Sequence, residues 1–237
     1  VADRSSQTII FMPVFNRRDI ALESIHNMRM MRGSAHLKVI DDASTQFDGH
    51  EMTALGDSGE VHPQNMGIDA TRISNLAEFI ASPFDYCYFT DSDTLHDPQF
   101  LDRAFQMFDL TASVSCLYNS CTPSHRNGFS IDVGNEISIT RSAPGVSMFF
   151  DKPTAMRLLT YYLDAVRFQP NIIKSYRGWD WFFCAALPHF AQSQVSYVEH
   201  MYSDGLHVGN GSDVAMNPTP FLQMEGRRVF TQLGIPL

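Results

Sequence analysis

The chain has 237 residues, 44% of them hydrophobic, and a formal net charge of −9. That length suits one large α/β domain with enough apolar side chains to fill a core. No apolar run approaches a membrane span, and no Lys/Arg cluster offers the basic face of a nucleic-acid binder.

The first half alternates strand and helix patterns. Thr8 to Phe11 is a short apolar run ended by Pro13 and reads as a buried strand. A helix is expected from about Asp19, its N-cap, with Leu22, Ile25 and Met28 facing inward and Gly33 as its stop. Leu37 to Ile40 reads as a second strand running into Asp41-Asp42. Gln46 to Gly59 is polar and turn-rich. Gly67 to Ile80 has helical periodicity, and Tyr86 to Thr90 is a strand followed by Asp91-Ser92-Asp93. Asp97-Pro98 places an N-cap before a proline at the first helical position.

The second half reads as strands at Thr111 to Leu117 and Val146 to Phe150, a hairpin within Phe129 to Ile139, helices at Pro153 to Val166 and Trp179 to Ala186, and a late strand at Val195 to Val198. The Gly-, Asn-, Ser- and Pro-rich tail from Asp204 to Pro220 reads as a loop that orders around ligand. The order of elements predicts an α/β fold with a mainly parallel sheet and helices on its faces. Such sheets bind ligands beyond the carboxyl ends of their strands, where Asp41, Asp42, Asp91 and Asp93 all fall.

The polar start, Val1 to Thr8, lacks the apolar core of a signal peptide. The cysteines Cys87, Cys116, Cys121 and Cys184 form no C-x-x-C pair and read as reduced, mostly buried thiols. The expected location is therefore the cytoplasm, or the membrane surface facing it.

Asp91-Ser92-Asp93 is the strongest local signal. Two ionised carboxylates so close repel each other unless a cation offsets them, and a hard divalent cation carrying a diphosphate suits the site. A capped turn is the structural alternative. The segment through Thr94 also resembles the Asp-x-Asp-x-Thr signature of haloacid dehalogenase phosphatases, but that signature closes the first strand of its fold, whereas this one closes a later strand.

Three upstream turns bear on the choice. Pro13-Val14-Phe15-Asn16-Arg17 ends the first strand, Val39-Ile40-Asp41-Asp42-Ala43-Ser44 ends the second, and Asn65-Met66-Gly67 opens a helix that carries Arg72. With Asp91-Ser92-Asp93 they resemble, in order and approximate spacing over residues 8 to 100, the family 2 glycosyltransferases of the GT-A fold. The resemblance implies a single GT-A domain over 1–237, with a nucleotide-sugar-binding half (1–100) and an acceptor and catalytic half (101–237).

It also implies roles. Pro13, Phe15, Arg17, Asp42, Asn65, Arg72, Asp91, Ser92 and Trp179 would line the nucleotide-sugar site: Phe15 against the base, Asp42 on base or ribose, and Arg17 or Arg72 on base or phosphate. Asp41 ranks behind Asp42, as a turn-closing residue. Asp93 would ligate a metal, Mn²⁺ or Mg²⁺, with Asp91 shared between ribose and metal. A late histidine joins such sites, His207 in preference to His200, and an imidazole beside carboxylates favours Mn²⁺ of the two.

Gly178-Trp179-Asp180-Trp181 holds the only tryptophans in the chain. Aromatic faces suit sugar rings, and apolar neighbours raise a carboxylate pKa. Asp180 is the candidate base for the acceptor hydroxyl, although Trp179 stands where the family usually has an acidic residue. The expected reaction is transfer from a UDP- or GDP-sugar to a glycan, lipid-linked or protein-linked acceptor, with inversion. A phosphatase, a sugar nucleotidyltransferase and a non-catalytic sugar-binding module are the alternatives.

Overall fold

Thr8–Val14 forms β1, and every residue in it is buried. A strand covered on both faces reads as a continuous apolar run, because successive side chains point to opposite sides of the sheet. Ile9 and Phe11 join one core with Ile73, Leu76, Phe79, Leu158 and Phe183. Ile10, Met12 and Val14 join the other with Ala21, Ile25, Met28, Ala104 and Met107.

The computed structural model describes residues 3–119, 130–168 and 179–201. In chain order after β1 come α1 (Arg18–Met31), β2 (His36–Asp41), α2 (Gly49–Thr53), β3 (Ser58–Val61), α3 (Gly67–Ala81), β4 (Tyr86–Thr90), β5 (Thr94–His96), α4 (Phe100–Thr111) and β6 (Ser115–Cys116). Then follow β7 (Ser130–Asp132), β8 (Ile137–Thr140), β9 (Ser147–Asp151), α5 (Lys152–Phe168), α6 (Trp179–Ala186), β10 (Phe190–Ser193) and β11 (Val198–His200).

Nine strands make one sheet in the order β3-β2-β1-β4-β9-β6-β10-β8-β7, and β11 pairs with β5 in a small second sheet. The β3-β2-β1-β4 half is parallel throughout. The other half is mixed: β9 runs antiparallel to β4 and β6, β10 is parallel to β6, and the β7–β8 hairpin closes the edge antiparallel. The strand order reverses between β1 and β4, which is the topological switch point where a crevice opens beyond the strand ends.

Several boundaries differ from the sequence expectation. Helix α1 starts at Arg18 after a left-handed Arg17 with no side-chain cap, so Asp19 lies inside its first turn, where the helix dipole favours an acid. Asp97 closes a turn by accepting from Gln99 N–H and Phe100 N–H, and Pro98 stays outside α4. The polar stretch 46–59 contains α2 and the first half of β3; β3 is an edge strand whose middle residues are exposed, so it shows no apolar alternation. Helix α4 runs to Thr111 and leaves only Ser115–Cys116 as strand. The late strand lies at Val198–His200, while Val195 is exposed between β10 and β11.

Cys87 and Cys116 are buried free thiols and Cys184 is half-buried; Cys121 lies outside the described residues. Among the described residues no helix is long and apolar enough to cross a membrane.

Candidate functional site

The middle of β1 and the carboxyl end of β4 are joined by one side chain. Arg72 of α3 is fully buried and donates to Phe11 O (3.2 Å), Thr90 O (2.5 Å) and Asp91 Oδ1 (2.9 Å). Its guanidinium also lies over the rings of Phe89 (4.8 Å) and Trp179 (5.0 Å). A buried cation is tolerable only when it is paired and hydrogen-bonded, and Arg72 meets that condition without reaching solvent. The role expected for it, contact with base or phosphate, therefore gives way to positioning: it locks the switch point and orients Asp91. Trp179 is likewise a core residue. Its ring packs on Phe89 and Phe183 and lies under the Arg72 guanidinium, so its face is spent on Arg72 rather than offered to a sugar, and its backbone N–H donates to Asp69 Oδ1 at 2.9 Å.

Asp41 and Asp42 also differ from expectation. Asp42 is buried, and its carboxylate accepts from Met66 N–H and Gly67 N–H at the start of α3 and from His62 Nδ1–H, each at 2.8 Å. It caps a helix terminus, where an anion is favoured. Asn65 shares the task by accepting from Gly67 N–H at 3.0 Å. Asp41 is just as deeply buried, accepts from Ser44 N–H with one oxygen (3.1 Å), and keeps Oδ1 without a partner. Gly49 leaves room for it: a Cβ there would fall 2.3 Å from Asp41 Oδ2. The carboxylate with an uncommitted acceptor is thus Asp41, the one ranked second from sequence. His62 was missed because it follows the edge strand β3, whose pattern gave no signal.

The turn after β1 is tied to the turn after β2. Asn16 and Arg17 both adopt left-handed backbone, with φ of 55° and 51°. This conformation is uncommon for residues other than glycine and needs support. Asn16 N–H donates to Ser44 Oγ (2.8 Å), Thr45 N–H to Asn16 Oδ1 (2.9 Å), and Arg17 N–H to Gln46 Oε1 (2.8 Å). Pro13 is buried at the end of β1 opposite Ile40, and Phe15 is half-buried just beyond it.

From this turn the Arg17 side chain reaches the third loop of the site. Its Nη1 donates to Asp93 Oδ2 at 3.0 Å. The other oxygen of Asp93 faces His200 Nε2 at 3.3 Å. His200 is delivered by the small sheet, in which it pairs with Thr94. Ser24 and Asn27 of α1 clasp the opposite side of β5: Ser24 Oγ donates to Thr94 O, and Asn27 Oδ1 accepts from His96 N–H. Asp93 is held below the usual carboxylate range by His200 and Arg17 against the opposing effect of burial, and His200 is raised by its hydrogen bond to Asp93. Asp91 is pushed up to about 6, mainly by burial and against the pull of Arg72. Ser92 between them is half-buried.

Side chains therefore supply counter-charge that the sequence assigned to a metal: Arg72 sits against Asp91, and Arg17 and His200 against Asp93. Among the described residues no three His, Cys, Asp or Glu side chains converge to hold an ion. The donor chemistry still fits a cation that arrives with a diphosphate, because Mg²⁺-like ions take one or two protein carboxylates and complete their shell with phosphate and water. The 3.3 Å between Asp93 Oδ1 and His200 Nε2 is close to the separation of about 3 Å that adjacent ligands have in an octahedral shell with bonds near 2.1 Å. His207 lies outside the described residues, as does the tail from Asp204 to Pro220. Asp180 is the second residue of α6, and its side chain also lies outside them.

Solved structures share this architecture. Staphylococcus aureus TarS 1-349 in complex with UDP-GlcNAc aligns with a TM-score of 0.53 at 14% identity, over 95% of this chain and 72% of that one. The chain has the GT-A fold. A longer TarS structure aligns with a TM-score of 0.52 at 13% identity over 81% of this chain, which spans 36% of that chain's length. A197 from STIV aligns with a TM-score of 0.50 at 13% identity, over 81% of this chain and 83% of that one. No protein-family model and no curated protein sequence matches the chain. Identities this low carry the architecture and nothing finer.

Proposed function

We propose that this chain is a glycosyltransferase that moves a sugar from a UDP- or GDP-linked donor to a hydroxyl of a glycan, lipid-linked or protein-linked acceptor. The observation that supports this reading best is the meeting of Arg17, Asp91, Asp93 and His200 at the crevice of the switch point. TarS, a protein of the same fold, has been crystallised with UDP-GlcNAc.

In this reading the base lies over Phe15, and Asp41 accepts an N–H from it. Asp93 and His200 would hold a Mn²⁺ or Mg²⁺ ion, which would neutralise charge on the departing diphosphate. Asp180 removes the proton of the acceptor hydroxyl as its oxygen bonds to the anomeric carbon. The bond from that carbon to the diphosphate oxygen breaks, and its electron pair leaves with the nucleotide. Attack from the opposite face inverts the configuration.

Calorimetry with UDP and GDP, with and without Mn²⁺, tests donor binding. Turnover of the matching nucleotide sugar separates an enzyme from a sugar-binding module. Failure of every nucleoside diphosphate to bind in the presence of Mn²⁺ would remove this reading.

A further inference from the structure

Asp93 is the best-placed carboxylate for a cation, and both of its oxygens are engaged by side chains. Arg17 Nη1 takes Oδ2 and His200 Nε2 faces Oδ1. The Asp93 side chain is one-tenth exposed, whereas that of Arg17 is one-third exposed at the mouth of the site. A buried carboxylate already compensated by a guanidinium gains less from a further cation than a bare one, and a divalent ion beside Arg17 would feel like-charge repulsion in a medium where that repulsion is poorly screened.

The contact is not an accident of a free-swinging side chain. The Arg17 backbone is fixed in a left-handed turn, and its N–H is held by Gln46. The neighbouring Asn16 is bonded to Ser44 and Thr45. The loop that would meet the base therefore also aims the guanidinium at Asp93. Three methylenes and a planar fork let that guanidinium leave Asp93 for an anion beside it with its backbone unmoved, and phosphate is the anion such a fork matches.

We propose that Arg17 is an internal competitor for the divalent cation at Asp93, released by the diphosphate of the donor, so that the metal and the nucleotide bind cooperatively. This rests on the donor-binding reading above. By linkage, whatever draws Arg17 off Asp93 strengthens metal binding, and the metal strengthens nucleotide binding by the same factor. The site would thus hold its ion weakly until a nucleoside diphosphate arrives.

The test is binding, read by the electron paramagnetic resonance signal of free Mn²⁺ and by calorimetry, with MnCl₂ alone, UDP alone and the two together. Arg17→Gln should bind Mn²⁺ alone about tenfold more tightly than the unsubstituted chain, a coupling of ordinary size. It should also lose most of the enhancement that UDP gives to Mn²⁺. Arg17→Lys keeps a cation opposite Asp93 and should stay near the unsubstituted chain, which separates lost charge from a loosened loop. Unchanged or weaker binding of Mn²⁺ alone in Arg17→Gln overturns the proposal, as does an equal gain in Arg17→Lys or the absence of Mn²⁺ binding from all three proteins. If the unsubstituted chain binds Mn²⁺ and UDP cooperatively while Arg17→Gln shows no gain, the donor-binding reading survives and only the role of Arg17 fails. If Arg17→Gln gains for Mn²⁺ alone and no protein binds a nucleoside diphosphate, Arg17 does compete at Asp93, while donor binding and the release that depends on it both fall.

Discussion

His200 Nε2 lies 3.3 Å from Asp93 Oδ1, although the two residues are far apart in sequence, because β11 pairs with the short strand that starts immediately after Asp93. The pair has a pH signature. The imidazolium is favoured in the folded chain, so the His200 pKa is raised above 6.5 by Asp93. A raised histidine contributes stability that is complete below its unfolded pKa and is lost as pH rises through the folded value. Asp93 is shifted down, so it stays ionised throughout that window. The stability difference between the unsubstituted chain and His200→Gln should therefore be largest near pH 5.5 and shrink by pH 8.5, as read by urea unfolding. A difference that grows with pH would contradict the pairing.

Arg72→Met should destabilise the chain by about 3 kcal/mol, the low end of the cost of removing one partner from a buried, hydrogen-bonded ion pair, because the Asp91 side chain is 31% exposed. The substitution leaves Phe11 O and Thr90 O without their donor and Asp91 without its cation. Chemical denaturation measures the loss. A cost below about 1 kcal/mol, the range of a solvent-exposed pair, would show that Arg72 is not the lock of the switch point.

Asp41 and Asp42 should separate in a paired experiment. Asp42→Asn places an amide N–H₂ where the carboxylate accepts from Met66, Gly67 and His62, and should cost about 1–3 kcal/mol through an unmatched buried group. Asp41 has one uncommitted oxygen, so Asp41→Asn should cost less stability and weaken UDP binding more. The reverse ranking in unfolding and calorimetry would return the base-contacting role to Asp42.

Within the parallel half, β1, β2 and β4 were legible because they are buried on both faces and so read as apolar runs, while the exposed edge strand β3 was not. The β7–β8 hairpin was legible from its turn residues. What sequence could not convey was charge compensation. The resemblance casts Arg72 as a contact to base or phosphate, and only the tertiary fold surrounds it with carbonyls, Asp91 and two rings. In the same way Asp41 and Asp42 are adjacent letters, and the choice between cap and uncommitted acceptor depends on where α3 starts and on Gly49 approaching Asp41. Strand β5 has three residues and no pattern of its own, so the route that brings His200, the second-ranked histidine, to Asp93 was invisible; His207 lies outside the described residues.

Asp180→Asn tests the chemistry apart from binding. The preceding residue is immobilised at several points: Trp179 N–H is held by Asp69 Oδ1, and its ring is packed against Phe89, Phe183 and the Arg72 guanidinium. The α6 backbone at Asp180 is therefore anchored to the same arginine that orients Asp91, which couples the proposed base to the nucleotide end of the crevice through packed groups rather than through a free loop. An amide cannot accept the acceptor's proton but is nearly the same size as the acid, so the variant should retain the unfolding midpoint and UDP affinity. Sugar transfer should fall by about 10²–10⁴-fold, the usual contribution of a general base. Ala at position 69 should cut transfer less and weaken the start of α6 more, whereas Asn there, which keeps an acceptor oxygen for Trp179 N–H, should rescue much of the loss. Turnover within threefold of normal in Asp180→Asn, with the donor still bound, would take the base away from α6 altogether.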